Sequence, residues 1–328
     1  MQACVYEQYG APEVVTVRGV EKPVAKADEV LVRVRAASVT TADWRFRASA
    51  FPRAFWLPGR LMLGLFRPRN AILGMDFSGV VEATGRSVTR FSVGDRVFGA
   101  TDPFSRGAHA EYVAVKESGA VIHTPDRISD QEAAAVPFGA NSALAFLRDV
   151  ARVQPGQRVL IVGASGGVGS WAVQLARHFG AEVTGVCSAR NVDLVRSLGA
   201  HDVVDYGAGA LTREGETYDV IFDTVGVTTF AGSKPALSER GVYVPLESGL
   251  REMAQALLTS CSGKKVKYAV SKNTREGLEL VAGLVDAGTL KPVIDHVYPM
   301  AQIADAHRHV EGRHKRGSVI VSMGAAGA

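Results

Sequence analysis

Three cysteines, Cys4, Cys187 and Cys261, are too few and too scattered in 328 residues for a disulfide framework. That scarcity suits a reducing compartment, and the expected location is cytoplasmic. No apolar run reaches the ~18 residues of a membrane-spanning helix, so stable membrane insertion is not expected. The chain opens without a basic stretch followed by an apolar one, so residues 1–9 read as the start of a strand and not as a secretory leader. Charge is modest as well. With 21% charged residues, a net +4 and cations spread along most of the chain, nucleic acid is not an expected partner. There is no internal repeat, and the small-residue tail at 324–328 is expected to fray. What is left is an ordinary globular composition, 47% hydrophobic, long enough for two cores.

Glycine is plentiful, and one cluster of it organises the chain. Residues 158–162 (RVLIV) carry the branched apolar run of a buried parallel strand, and the turn Gly163-Ala164-Ser165-Gly166-Gly167-Val168-Gly169 follows at once. From Val168 the residues Ala172, Leu175, Ala176 and Phe179 share one helical face, with Gly180 placed for a left-handed C-terminal cap. A second apolar strand at 182–187 completes a strand-helix-strand unit. The turn keeps the A/G-x-G-x-x-G spacing. Its backbone at Ser165, Gly166, Gly167 and Val168 can approach a pyrophosphate, whose charge the helix end favours by roughly 0.3–1 kcal/mol. The context of strand before and helix after makes this a dinucleotide-binding turn.

The end of the second strand reads Cys187-Ser188-Ala189-Arg190-Asn191, without the Asp or Glu that holds a ribose 2′-hydroxyl in NAD enzymes. Ser188 and Arg190 can instead bond a 2′-phosphate, charge-assisted bonds worth roughly 1.5–3 kcal/mol, and the expected cofactor is NADPH. The alternative is that Asn191 caps a helix at 192–198 with Arg190 solvated beside it. Gly163-Ala164-Ser165-Gly166-Gly167 also satisfies the G-x-S-x-G of a hydrolase nucleophile elbow. The rest of the chain argues against a hydrolase, because a large separate domain precedes the turn and a cofactor-phosphate site follows it.

Strand patterns at 30–36, 77–83, 93–98 and 109–115, broken by glycine turns, predict a compact β-barrel-like domain. Ser129-Asp130-Gln131-Glu132 is a capping box, a helix is expected at 140–150 after Pro137, and Pro155-Gly156 turns the chain into the nucleotide-binding strand. Strands at 202–206, 218–224, 241–246 and 266–270 continue a doubly wound parallel sheet. A helix at 274–287, a strand at 293–297, a helix at 302–310 and a strand at 318–321 return to the first domain. The fold class is therefore α/β, in three segments: a catalytic domain at 1–125, a Rossmann domain at 126–272, and the return at 273–328. The active site is expected in the cleft between the domains.

ASVTTADW at 37–44, GMDFSG at 74–79, VGDRV at 93–97, the GASGGVG turn, residues 203–206 and RGSV at 316–319 together give a chain that resembles the medium-chain dehydrogenase/reductase superfamily over essentially its whole length. The similarity is to its zinc-independent quinone oxidoreductase and enoyl-reductase branch. It implies a GroES-like catalytic domain, NADPH, and hydride transfer to a quinone or an α,β-unsaturated carbonyl. A homodimer joined through edge strands near 266–270 is a further expectation of the resemblance. Zinc members of the superfamily use Cys and His ligands, but Thr40 to Trp44 contain no Cys, Met75-Asp76 replaces His-Glu, and the cysteine lobe is missing. No metal is expected, and His307, His309 and His314 read as solvated.

The resemblance places Thr40 near the nicotinamide ribose and substrate, where the branch often has Asn, and Ser142 facing the nicotinamide. Tyr206 would lie beside the 2′-phosphate, Thr224, Val225 and Leu246 would line the nicotinamide side, and Arg316 would be a second phosphate contact. Asp43 matches a common acid of the branch, either catalytic or a buried acid that fixes its loop. No tyrosine stands where related enoyl reductases place one, so the proton donor is unassigned. Two other readings are an acyl-thioester enoyl reductase of fatty-acid or polyketide type and a non-catalytic NADPH-binding protein.

Residues 44–75 hold Arg45, Arg47, Arg53, Arg60, Arg67 and Arg69, no acid and no lysine, interleaved with large apolar residues. The leading expectation is a helical flap that buries its apolar side and solvates its arginines. A lid over a hydrophobic or anionic substrate and attachment to anionic lipid are the alternatives.

Overall fold

The computed structural model describes residues 1–102, 107–209, 211–213 and 215–323, except for the side chain of Arg53. The tail at 324–328, expected to fray, lies outside them. The chain forms two compact units, Met1–Phe138 with Asn273–Ala328, and Gly139–Lys272.

The first unit opens with the hairpin pair β1 (Gln2–Val5) and β2 (Thr16–Gly19), then the long β3 (Glu29–Val39). Helices α1 (Thr41–Ala48) and α2 (Arg53–Leu63) precede β4 (Asp76–Thr84), β5 (Arg96–Ala100), β6 (Tyr112–Lys116), β7 (Ala120–His123) and α3 (Asp130–Ala134). Val30, Val32, Val34, Phe77, Val81, Val97, Val113 and Val121 alternate inward along these strands and form the core. Strands β5 and β6 start later than the pattern suggested. Val93 is 66% exposed, and Gly94, at φ +98, turns the chain before β5 begins. The capping box at Ser129 forms as the sequence predicts: Ser129 Oγ accepts from the Glu132 N–H, and Glu132 Oε2 accepts from the Ser129 N–H. Ala134 and Ala135 then pack on Ala36 and Ile320, which keeps α3 with the first unit.

The second unit begins at Gly139 within α4 (Pro137–Leu144), which runs into a π-helical turn at Ala145–Ala151. There follow β8 (Arg158–Val162), α5 (Gly169–His178), β9 (Glu182–Cys187), α6 (Val192–Ser197), β10 (Asp202–Asp205) and β11 (Tyr218–Asp223). Then come α7 (Phe230–Ser233), β12 (Leu237–Pro245), α8 (Leu250–Leu258) and the short β13 (Lys265–Val266). The six strands are parallel in the order β10-β9-β8-β11-β12-β13, reversing direction of growth beside β8, the doubly wound arrangement. The expected strand at 266–270 is only Lys265–Val266, and Val270 beyond it is 83% exposed. Gly180 does adopt a left-handed conformation, φ +81, and Gly169 to Ala176 of α5 are buried on all sides, not on one face.

The chain returns through α9 (Arg275–Asp286), β14 (Ile294–Pro299), α10 (Ile303–Glu311) and β15 (Ser318–Ser322). Strand β15 pairs with the end of β3, and β6 pairs with its beginning on the same edge, so one eleven-residue strand carries both neighbours.

Segment 44–75 departs in part from the leading expectation: Arg67 and Arg69 are exposed and Leu63, Leu73 and Met75 buried, as expected. Trp56, Leu57, Leu61 and Met62 of α2 are instead exposed, while Arg47 on α1 is fully buried and donates to Glu311 Oε2 at 2.8 Å. The guanidinium of Arg60 stacks over the Tyr9 ring at 3.8 Å. Arginine supplies the packing here because its planar head covers an aromatic face and its stem fills space.

Candidate functional site

Five parallel strands deliver the site of the second unit to one edge. Residue pairs Cys187/Asp205, Val162/Asp223 and Asp223/Pro245 are in register, so the residues just after them share the carboxyl end of the sheet. These are Ser188 and Tyr206 on one side, and Gly163, Thr224 and Leu246 on the other.

The glycine turn is held from both sides. The N–H groups of Gly163 and Ala164 donate to the Val186 carbonyl at 3.0 and 2.9 Å, anchoring the turn to β9. Gly163 has φ +79, and a Cβ there would lie 2.1 Å from Val225 Cγ2. At Gly169 a Cβ would come within 2.0 Å of the Gly163 carbonyl oxygen, so only glycine lets α5 start this close to β8. Gly139 at the head of α4 presses on the same turn, its position 2.4 Å from the Gly167 carbonyl oxygen if it bore a Cβ. Ser142, one turn further along α4, is buried. At Gly166 a Cβ would meet the Gly163 carbonyl at 3.3 Å and nothing else within 4 Å. Helix α5 has no side-chain cap and no acid in its first turn. The residues therefore fit a dinucleotide pyrophosphate: a side-chain-free turn, room at Gly166, and an uncapped positive helix end.

Asn191 is the residue that sequence reasoning undervalued. It stands at the start of α6 but makes no side-chain cap bond. Instead its Nδ2 donates to Ser165 Oγ at 3.0 Å and to Ser188 Oγ at 3.2 Å, tying the glycine turn to the end of β9. Both serine oxygens accept, so both hydroxyl hydrogens remain to donate elsewhere. The partner of Ser165 is thus an amide and not a histidine base, which leaves the nucleophile-elbow pattern without its chemistry. Arg190 is exposed in the turn Ala189–Asn191, and Tyr206 is 47% exposed. Burial pushes the Cys187 thiol up to about 11, so it is neutral beside them.

On the other side, Asp223 was also missed. Fully buried at the end of β11, it accepts from the N–H groups of Val225, Gly226 and Thr228 at 2.9, 2.8 and 2.7 Å and from Thr228 Oγ1 at 2.6 Å. The signal was a strand-terminal Asp before a Gly-containing turn. Thr224 Oγ1 donates to the Val162 carbonyl at 2.8 Å, and the Leu246 N–H to the Asp223 carbonyl at 2.8 Å. Thr224 and Val225 are thereby fixed next to Gly163, and Leu246 beside Asp223.

In the first unit, Thr40 caps α1. Its Oγ1 donates to Asp43 Oδ2 at 2.6 Å, its N–H donates to the same oxygen at 2.8 Å, and Asp43 Oδ1 accepts from the Gly74 N–H at 3.0 Å. Asp43 is fully buried and spends both oxygens inside the protein. Thr40 directs its hydroxyl proton at Asp43, leaving its oxygen as an acceptor. Asp76, buried next to this loop, accepts from Ser38 Oγ at 2.9 Å and the Phe138 N–H at 3.0 Å, while Oδ1 has no partner among the described residues. Burial pushes its carboxyl up to about 8, so it holds a proton at neutral pH. Arg316 is exposed in the turn before β15, its N–H donating to Asp295 Oδ2 at 2.8 Å.

The three C-terminal histidines are not uniformly solvated. His314 is exposed, but His309 bonds Asp295 and the Tyr298 hydroxyl. His307 is fully buried, its ring edge-on to His109 at 5.8 Å. Helix α10 turns this face inward with Ile303, Ala306 and Val310, a stripe the sequence reading took as polar. Burial, followed by His109 and Arg47, holds His307 well below its ordinary pKa, hence neutral. Among the described residues no group of three or more His, Cys, Asp or Glu forms a metal-ligand set.

Two family models match the chain: an alcohol dehydrogenase GroES-like domain over residues 26–126 and a zinc-binding dehydrogenase domain over residues 198–321. The human protein NAD(P)H oxidoreductase RTN4IP1, mitochondrial, is 31% identical over 98% of this chain and 89% of its own length. The spinach quinone-oxidoreductase homolog, chloroplastic, is 33% identical over 98% of each chain. The solved quinone oxidoreductase of Coxiella burnetii superposes with a TM-score of 0.88 at 27% identity, covering 98% of this chain and 99% of that one. By the carriers of its glycine turn, its two domain types and these full-length relatives, the chain belongs to the medium-chain dehydrogenase/reductase superfamily and is quinone oxidoreductase-like.

Proposed function

We propose that this protein is an NADPH-dependent reductase that delivers hydride, without a metal, to a quinone or an α,β-unsaturated carbonyl. The observation that carries the cofactor choice is the end of β9: Ser188, oriented by Asn191 so that its hydroxyl hydrogen is available, next to exposed Arg190 and, like Tyr206, one residue past the Cys187/Asp205 pair. Between Cys187 and Asn191 no carboxylate stands to hold a ribose 2′-hydroxyl. The bound dinucleotide would supply the hydride. The backbone of Ser165 to Val168 holds its pyrophosphate, and Thr224, Val225 and Leu246, braced by Asp223, bound the nicotinamide side, with Ser142 on α4 behind the turn. Asp43 is a positioning residue, because both oxygens are committed to Thr40 and Gly74. The polar groups where zinc enzymes of the superfamily keep their ligands are a threonine, a methionine and two hydrogen-bonded aspartates. That set does not fit zinc.

The test is NADPH consumption by EDTA-treated protein with a small quinone, beside NADH at equal concentration. Saturable turnover preferring NADPH is expected. Turnover of a 2-enoyl thioester but not of quinone or enone would move the acceptor to acyl-thioester chemistry. Tight NADPH binding with no turnover of any acceptor would refute catalysis.

A further inference from the structure

Helix α2 and the turn after it leave an apolar patch largely exposed among the described residues. Trp56, Leu57, Leu61, Met62, Leu65 and Phe66 are 44, 53, 54, 50, 38 and 87% exposed. Leu57 and Leu61 are four positions apart and share one face of α2, and Leu65 and Phe66 follow in the turn just beyond its Gly64 cap. The helix is pinned from its other side. The Phe51 ring packs on Gly59, Leu63 is buried, and the Tyr9 hydroxyl donates to the Gly64 carbonyl at 2.8 Å. The outward direction of the patch is therefore built in. Exposed Arg67 and Arg69 flank its end, and no acid or lysine occurs anywhere in residues 44–75.

We propose that this face seats the protein on a bilayer surface rich in anionic lipid. Charge selects the occupant. A second copy of the chain, joined through the same face across a two-fold axis, would set arginines against arginines with no carboxylate in the segment to relieve them. An anionic headgroup layer satisfies the guanidinium groups, while Leu, Met, Phe and Trp enter the acyl boundary. Guanidinium pairs with phosphate through two parallel bonds, which suits an arginine-only rim. Among the described residues no helix is long and apolar enough to cross a membrane, so the attachment is peripheral. The inference rests on the α2 surface alone and is independent of which acceptor the enzyme reduces.

Flotation of the whole protein with vesicles tests it. Binding is expected to vesicles of mixed phosphatidylglycerol and phosphatidylcholine, to fall steeply as salt is raised, and to be weak on phosphatidylcholine alone. The double variant Leu61→Glu/Phe66→Glu should reduce bound protein at least about tenfold, and Arg67→Gln and Arg69→Gln about fivefold each at low salt, by the usual worth of one cation at an anionic surface. Arg240→Gln, an exposed arginine on the second unit, should change nothing. All these sites are exposed, and unchanged NADPH affinity verifies that each variant is folded. Equal binding by wild type and the double variant would overturn the proposal. So would absence of vesicle binding together with capture on a polyglutamate probe, which would indicate an acidic protein partner. A wild-type dimer that Leu61→Glu/Phe66→Glu dissociates, with no vesicle binding, would assign the face to self-association instead.

Discussion

Asn191 offers the sharpest test of the proposed cofactor site, because it bonds two serines assigned by that proposal to different parts of the dinucleotide. In Asn191→Ala the bonds at 3.0 and 3.2 Å are lost, and both hydroxyl rotors are freed. Ordering each serine again on binding costs about 0.5 kcal/mol, the low end for an immobilised side chain, so NADPH should weaken by about 1 kcal/mol, or fivefold. NADH lacks the 2′-phosphate that Ser188 is proposed to bond and should lose only the Ser165 share, about twofold. Asn191→Asp reverses the hydrogen bonds, since a carboxylate accepts from both hydroxyls and adds a negative charge; NADPH should weaken about ten- to a hundredfold. Fluorescence titration of both dinucleotides against wild type, Asn191→Ala, Ser188→Ala and the double variant gives the cycle. In the Ser188→Ala background, Asn191→Ala should cost NADPH only about twofold. Equal losses for the two dinucleotides, or an undiminished loss in that background, would refute the argument. Preference for NADH in the wild type would instead refute the cofactor assignment.

Arg190→Glu should cost NADPH about one to two decades of affinity by removing and reversing a charge-assisted bond, with NADH nearly unchanged; isothermal titration at low salt reads both. Gly169→Ala places a methyl 2.0 Å from a backbone oxygen, so α5 must shift at a cost of about 1–3 kcal/mol, lowering the melting temperature and weakening both dinucleotides alike. Asp76 keeps its proton in the fold up to about 8, whereas the unfolded carboxyl loses it near 3.8. Between those values the folded state binds more protons, so this group's stabilisation is lost as pH rises from about 4 to about 8, with a slope of at most about 1.4 kcal/mol per unit. Urea midpoints of Asp76→Asn should lack that decline. His307 has the opposite sign, neutral in the fold where the unfolded ring is charged, so stability falls as pH drops below 6.5, and His307→Leu should flatten that acid limb.

The parallel sheet and its glycine turn were legible because their demands are local. Strand β9 falls at 182–187 and the left-handed Gly180 where the pattern placed them. Polar residues that bridge distant segments were harder. Asn191 before a helix looks like a cap, and only the folded chain shows that its amide reaches Ser165 across 26 positions. Asp223 is locally visible as a turn former, but its four bonds depend on the loop closing around it. Segment 44–75 was misread in part for a related reason. Helical periodicity separates two faces of α2 without stating which one the core takes, and arginine is able to pack as well as to solvate. His307 went the same way: its helix is mostly polar, and burial was decided by Ile303, Ala306 and Val310 on neighbouring turns.

The Asp43 carboxylate, accepting from Thr40 on one side and Gly74 on the other, closes a loop whose thirty or so intervening residues include α2. Clamped at its base, that loop is uncoupled in length from the strands it joins. Closure entropy rises only about 0.6 kcal/mol when such a loop doubles, so residues can be added to or removed from α2 without moving Thr40 or β4. The arrangement leaves this excursion room to diverge, and with it the proposed attachment surface, while the buried acid and the strands behind it stay as they are.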